Sequence, residues 1–330
     1  MSVLNIYPNG AIVVGNNFTI DGHWNRPFRV ITHFHSDHII ELDKSIRECA
    51  GIISTPITID ILNALGYKIP KFKDMRMEYD IKVKVDEEII ELKKSEHVIG
   101  SAQVLIRLED GLEVAYTGDF KNPGKGTPIL NPNILIIEAT YGKPGLRRPF
   151  KDEVEVLLGD YVRDYLVKGP VRIYGYHGKI QEVMMKLREQ GIDAPYIVSG
   201  KIDEITKIAI KYGLRIDNVY SSSSADAAEI IKSNWYISFH HYLEFSKKRN
   251  NSKFTDFLIT GWEFKQPIRK LDERSYIVAL SDHADFDELI YYVDNSAADV
   301  IITDGGRKSY ARELAEYISK YLGKKAFSLP

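Results

Sequence analysis

Cysteine is nearly absent from this 330-residue chain: Cys49 stands alone, which excludes an internal disulfide and any zinc site built from thiolates. An excess of charge is absent too. Lys and Arg number 44 against 46 Asp and Glu, a net charge of −2, which excludes a uniformly basic nucleic-acid binder. It does not exclude a nuclease whose metals bring their own positive charge. No apolar run approaches the ~18–20 residues of a membrane helix. The opening residues, Met1-Ser-Val-Leu-Asn-Ile-Tyr-Pro-Asn-Gly10, lack the basic-then-apolar order of a signal peptide, so the expectation is a cytoplasmic protein. Repeats, low-complexity tracts and long flexible linkers are missing as well. What is present is an apolar fraction of 44%, ample for a packed core, over a length that suggests about two domains.

Up to about residue 140 the pattern is strand-rich. Ala11–Val14, Phe18–Asp21 and Arg29–His33 read as short strands; Val104–Arg107 and Glu113–Thr117 flank an Asp110-Gly111 turn, and Asn133–Glu138 is an apolar strand. The rhythm changes near Pro149. A helix at about 152–167, strand Val171–Tyr174, a helix at about 179–189, strand Tyr196–Val198 and a helix at about 203–211 follow one another. Beyond an exposed polar loop at Lys247–Lys253 come strand Tyr276–Leu280, a helix at about 286–294, strand Val300–Thr303 and a helix at about 308–321. This alternation predicts an α/β fold with a parallel sheet packed by helices.

The most informative stretch is Thr32-His33-Phe34-His35-Ser36-Asp37-His38, an H-x-H-x-D-H motif at the end of an apolar strand. Strand alternation throws His33 and His35 to one side, and the following turn swings Asp37 and His38 towards a second point. Imidazole and carboxylate are the donors zinc accepts when thiolates are absent. His97, in Glu96-His97-Val98-Ile99-Gly100-Ser101-Ala102, and Asp119, in Thr117-Gly118-Asp119, stand near other strand ends. Alone, each would be an ordinary turn or surface residue. In company with the first motif they become metal-ligand candidates.

This order of motifs resembles the metallo-β-lactamase superfamily. The resemblance implies an αββα sandwich with a dinuclear metal site, in which His33, His35 and His97 hold one ion, Asp37 and His38 the other, and Asp119 bridges them. Glu138-Ala-Thr-Tyr-Gly142, Gly178-Lys-Ile-Gln-Glu182 and Ser281-Asp-His-Ala-Asp285 are similar to segments of the β-CASP nucleases, in which a domain with a mainly parallel sheet is inserted into that sandwich. Phe18-Thr-Ile-Asp21, Gly100-Ser-Ala-Gln103, Gly261-Trp262 and Leu280-Ser-Asp-His-Ala-Asp285 resemble the DNA ligase-associated exonucleases and archaeal mRNA 3′-end-processing factors of that family. The implied domains are 1–150 with 265–330 for the sandwich and 151–264 for the insertion. Asp37, Glu138 and His283 form the implied catalytic set, with His283 as general acid oriented by Glu138 and the inserted domain roofing the site. The implied activity is hydrolysis of phosphodiester bonds in DNA or RNA, in the exonuclease manner, by water activated on zinc. The rival readings are an endonucleolytic RNA-processing enzyme, a small-molecule hydrolase and a non-catalytic scaffolding relative. The implied partners are a nucleic-acid substrate and proteins of repair or RNA processing.

Several polar residues stand outside the motif positions. His23, His240 and His241 read as ordinary polar residues, Cys49 as a small buried one, and His177 as a candidate for the cleft. Lys179 begins a helix, where it either meets phosphate or faces solvent, and Arg147-Arg148, Lys247-Lys248-Arg249 and Arg307-Lys308 read as basic surface open to phosphate contact. One departure is plain. Where the β-CASP pattern has His-Gly after a late strand, this chain has Thr303-Asp304-Gly305-Gly306. Either Asp304 is a turn residue and the second metal lacks a ligand, or it binds that metal through oxygen. Both alternatives predict a second site that holds zinc more weakly and accepts Mn²⁺ or Mg²⁺ more readily.

Overall fold

The computed structural model describes residues 4–247, 253–307 and 309–330. Lys308, and residues 248–252 of the loop expected at Lys247–Lys253, lie outside the described residues. The chain divides into two compact units, Met1–Arg147 with Asp282–Pro330, and Arg148–Ser281.

The first unit contains two sheets. One has six strands in the order Leu4–Ile6, Ala11–Val14, Phe18–Asp21, Phe28–Val30, Gly51–Ser54 and Asp74–Arg76. The other has seven, in the order Lys325–Leu329, Val300–Asp304, Ile134–Ile137, Glu113–Tyr116, Ala102–Arg107, Glu88–Lys94 and Lys82–Val85. Side-chain alternation stacks them. Ile12, Val14, Phe18, Ile20 and Val30 of the first sheet share one core with Val104, Ile106, Val114, Tyr116, Ile136 and Ile302 of the second.

The intervening residues Ala115, Leu135, Ile137 and Ile301 face the other way. They meet Phe286, Leu289, Tyr292 and Val293 of helix Phe286–Asn295, whose spacing puts them on one face, and Leu314 of helix Ala311–Tyr317. Helices Leu42–Glu48 and Pro56–Leu65 pack on the first sheet, against strands Gly51–Ser54 and Asp74–Arg76 respectively. The result is an αββα sandwich. Each fully buried aliphatic side chain of these cores contributes about 1.5–3 kcal/mol relative to exposure.

The second unit holds a seven-stranded sheet in the order Val219–Ser221, Tyr196–Val198, Ile237–His241, Val171–Gly175, Thr255–Ile259, Ser275–Val278 and Ile268–Asp272. All neighbours are parallel except the last pair. Helices Lys151–Leu166 and Lys179–Glu189 pack on it through Val154, Leu158 and Val162, and through Val183, Met184 and Leu187. Strands Ile268–Asp272 and Ser275–Val278, both beyond residue 265, belong to this sheet, so the observed units change over at 281–282. Among the described residues no helix is long and apolar enough to cross a membrane.

Candidate metal centre

The site lies entirely in the first unit, where strand ends and the loops beyond them converge. Parallel pairing sets Ile20 level with Val30, which brings Asp21 beside the segment that follows strand Phe28–Val30. There the Asp21 carboxylate accepts from the Thr32 backbone N–H and the Thr32 hydroxyl, both at 2.8 Å, and from His38 Nδ1 at 2.6 Å. A turn with His38 N bonded to His35 O at 3.0 Å carries the motif round. Asp119 is delivered by Gly118, whose backbone is left-handed (φ +55°); a Cβ there would stand 3.0 Å from Ala102 O and 3.2 Å from Thr32 Cβ. His283 precedes a capping box in which Asp285 and Glu288 exchange side-chain to backbone bonds at 3.1 Å, fixing the start of helix Phe286–Asn295.

These loops bring His33, His35, His97 and Asp119 together with ligand atoms within 4.8 Å of one another, and Asp119, Glu138 and His283 form an overlapping group. Asp119 Oδ2 is the common point. It lies 3.2 Å from His38 Nε2, 3.6 Å from His33 Nε2, 3.7 Å from His97 Nε2 and 3.8 Å from His283 Nδ1. His35 Nδ1 is 3.1 Å from His97 Nε2. On the other side His38 Nε2 is 3.7 Å from Asp37, whose side chain is about half exposed.

The tautomers follow from the hydrogen bonds. His38 Nδ1 donates to Asp21, and His97 Nδ1 donates to Asp282 O at 2.8 Å. The Thr32 hydroxyl gives its proton to Asp21, so it accepts from His33 Nδ1 at 3.1 Å. All three rings therefore turn Nε2 into the cluster, His33 and His97 as a lone pair and His38 as one once a metal displaces its proton. His33 Nε2 and His38 Nε2 are buried there without a hydrogen-bond partner, an arrangement that a bound cation satisfies and an empty apolar pocket would not. The residues fit a metal centre with overlapping ligand groups: a nitrogen-rich side of His33, His35 and His97, and an oxygen-richer side of Asp37 and His38, with Asp119 common to both.

Electrostatics agree with that division. Burial keeps His33 far below the usual imidazole range and His97 down at about 3, so both stay neutral and ready to ligate. Burial also opposes charge on His38, as does Arg307, but Asp119, Asp21 and Asp37 outweigh them and push it up to about 10. His283 is likewise opposed by burial, yet Glu138 and Asp119 raise it to about 9. Its Nδ1 is 3.1 Å from Glu138 Oε2, while Glu138 Oε1 accepts from Phe120 N at 2.9 Å, which locks the carboxylate in place.

Asp304 is not in this cluster. Its Oδ2 accepts from Tyr116 Oη at 3.2 Å and pairs with Arg307, while Oδ1 takes the Gly306 N–H at 2.9 Å. Two other residues of this unit also stand apart: His23 bonds Ser45 at 2.9 Å and pairs with Glu48 at 3.2 Å, and Cys49 is buried. His177, His240 and His241 belong to the second unit. Lys179 is buried against Glu182 at 2.8 Å, so it is not the solvent-facing residue that was one of its expected settings. Sequence reasoning passed over Asp21, Thr32, Asp282 and Arg307 as site residues. Asp21, Thr32 and Asp282 stood within quoted motifs, but nothing local marked them as partners of the histidines; Arg307 was read as basic surface, whereas its side chain is buried against Asp304.

No protein-family profile matches the chain. A protein of Acidianus ambivalens, an uncharacterized protein in the lig 3′ region, is 60% identical over 140 residues, covering 42% of this chain and all of that one. The probable RNase MJ4 of Methanocaldococcus jannaschii is 28% identical over 163 residues, 46% of this chain and 36% of that protein. A probable DNA ligase of Opitutus terrae is 23% identical over 316 residues, 94% of this chain and 29% of the ligase. The chain thus spans about a third of the length of the latter two relatives. With the αββα sandwich, the His/Asp cluster at its strand ends and the separate unit interposed in its sequence, the chain belongs to the β-CASP family of the metallo-β-lactamase superfamily.

Proposed function

We propose that this protein is a metal-dependent nuclease, cutting DNA as an exonuclease. The observation that carries the reading is the placement of His283, held on Glu138 and 3.8 Å from Asp119, beside the cluster of His33, His35 and His97. Bound zinc supplies Lewis-acid stabilisation of the phosphoryl group and lowers the pKa of water. The chain's residues supply the rest. His33, His35, Asp37, His38, His97 and Asp119 hold and space the ions. His283, kept protonated by Glu138, donates a proton to the departing alkoxide, a contribution of about 10²–10⁴-fold. A small-molecule hydrolase has no need of so placed an acid against an alkoxide leaving group, which favours phosphodiester cleavage.

The match over 94% of the chain to a segment of a protein named as a DNA ligase supports DNA as substrate and proteins of DNA repair as partners. The similarity to a protein named as an RNase supports RNA as the second reading. Lack of a membrane-crossing helix among the described residues and a buried lone cysteine accord with the cytoplasm. The test is a time course on end-labelled single- and double-stranded DNA and RNA, with zinc or manganese and with chelator. Chelator-sensitive release of mononucleotides from DNA is the expected result. Failure to cut any of the four substrates with metal present overturns the proposal.

A further inference from the structure

Asp304 occupies the place where a β-CASP histidine would complete the second metal site, and its partner is the unexpected feature. Arg307 lies three residues on, across the Gly305-Gly306 turn, with its side chain only 8% exposed. Its Nη1 pairs with Asp304 and stands 3.3 Å from Tyr116 Oη; its Nη2 donates to Gly10 O at 3.0 Å and stands 3.7 Å from Asp21 Oδ2. The turn is built for this approach, because a Cβ at Gly306 would meet Tyr7 O at 2.9 Å and Gly10 Cα at 3.1 Å. A buried guanidinium demands compensation, and here Asp304 supplies a whole carboxylate.

Arg307 is linked to the metal cluster by a single side chain. Asp21, at 3.7 Å from its Nη2, is the carboxylate that holds His38 Nδ1 at 2.6 Å, and His38 Nε2 is 3.2 Å from Asp119. The guanidinium's charge reaches His38 and Asp37, whereas Asp304 is engaged by Tyr116, Gly306 and Arg307 itself. Three consequences act in one direction. Asp304 is withdrawn from ligation. Asp21 is shared, so it lends less basicity to His38. A fixed cation stands close enough to repel a second dication.

Resting on the metal-centre reading above, we propose that Arg307, clamped by Asp304, is a resident cation beside the second metal position, one side chain away from it through Asp21. It makes the two sites unequal: one ion is held tightly by His33, His35, His97 and Asp119, and the ion on Asp37 and His38 exchanges readily. Arg307 is here a positioning residue, acting through Asp21 and its field rather than on substrate.

The experiment is stepwise zinc binding to the purified full chain, followed by calorimetry and by elemental analysis after gel filtration, for the wild type, Arg307→Gln and Arg307→Lys. The wild type should keep one zinc and bind the second at least tenfold more weakly. Arg307→Gln frees Asp304 and removes the charge, and should tighten the second step at least tenfold. Arg307→Lys keeps the charge and should leave the two steps unequal. Two equally tight zincs in the wild type overturn the proposal, a result that does not require any variant to fold. A folded Arg307→Gln protein, judged by its circular dichroism melt, whose second step is no tighter also overturns it. Absence of any tight zinc in the wild type refutes the metal-centre reading instead, so the two failures are distinct.

Discussion

Asp21→Asn puts the wiring of the metal centre under a controlled strain. The fully buried Asp21 carboxylate accepts from Thr32 N, the Thr32 hydroxyl and His38 Nδ1, with Arg307 nearby. Deleting it with alanine would strand three donors at roughly 1–3 kcal/mol each, comparable to the whole stability of a domain, so alanine tests only folding. Asparagine keeps the shape but brings one acceptor and one donor. Whichever way the amide turns, its NH₂ opposes a donor: the Thr32 backbone N–H or the His38 Nδ1–H. A backbone amide has no alternative, whereas His38, a cation in the metal-free site, gives up its Nδ1 proton, keeps the one on Nε2 and accepts at Nδ1 instead. That neutral tautomer keeps a proton on the nitrogen that faces the cluster, and a metal ion must move it back to Nδ1 in order to bind.

Loss of such a supporting carboxylate weakens metal affinity by about 10–100-fold. This corresponds to about 1.4–2.7 kcal/mol, in line with one hydrogen bond to a charged group. The assay is zinc calorimetry, paired with the ¹⁵N imidazole resonances of the apo protein, which report the tautomer directly. The second zinc step should weaken by that factor while the first stays within a few fold. A variant with unaltered affinities, or one weakened only on the His33, His35 and His97 side, would refute the reasoning.

Other outcomes are expected from the same geometry. His283→Ala should lower cleavage by about 10²–10⁴-fold with zinc content nearly unchanged, measured by elemental analysis beside the cleavage assay; loss of zinc would remove His283 from the acid role. Glu138→Gln should move the basic limb of the pH–rate profile to lower pH. The acid must be protonated to act, its pKa is raised to about 9, and the substitution removes the leading attraction that raises it; an unmoved limb would contradict the assignment. Asp119→Ala should cost metal on both sides at once, since its Oδ2 lies within 3.7 Å of His33, His38 and His97, and a variant retaining one tight zinc would show that it serves one ion only. With a net charge of −2, nucleic-acid affinity should fall shallowly with salt; a log–log slope implying six or more phosphate contacts would reveal a basic face unrecognised in the sequence.

The ligand motif was legible because its geometry is local: six consecutive residues carry four donors, and no distant contact is needed to see them. Strands Ala11–Val14, Phe18–Asp21 and Tyr196–Val198, and helix Lys179–Glu189, were equally plain from their apolar patterns. Strand Asp74–Arg76 was not, since Asp-Met-Arg offers no alternation and owes its conformation to pairing beside Gly51–Ser54. Strand Lys82–Val85, at a sheet edge, carries lysines that blunt its apolar signal. The expected change of domain at 265 rests on a rhythm that strands Ile268–Asp272 and Ser275–Val278 do not break, because they continue the second unit's sheet. Asp304 was visible as a departure, but its fate was set by Arg307 and Tyr116, and Tyr116 comes from a strand far earlier in the chain.

The interposed second unit has a consequence for biosynthesis. Residues 148–281 stand between strand Ile134–Ile137 and strand Val300–Asp304, its neighbour in the finished sheet. At ~5–20 residues per second, a ribosome needs roughly 7–27 s to pass through that interval. Throughout it the faces of Leu135 and Ile137 await Phe286 and Leu289, and by its end the second unit has all seven of its strands. A nascent chain at this stage carries His33, His35, His97 and Asp119 but no His283, so the candidate metal ligands are translated well before the proposed proton donor. On the proposed mechanism, cleavage competence is deferred until the segment from residue 282 onward is made.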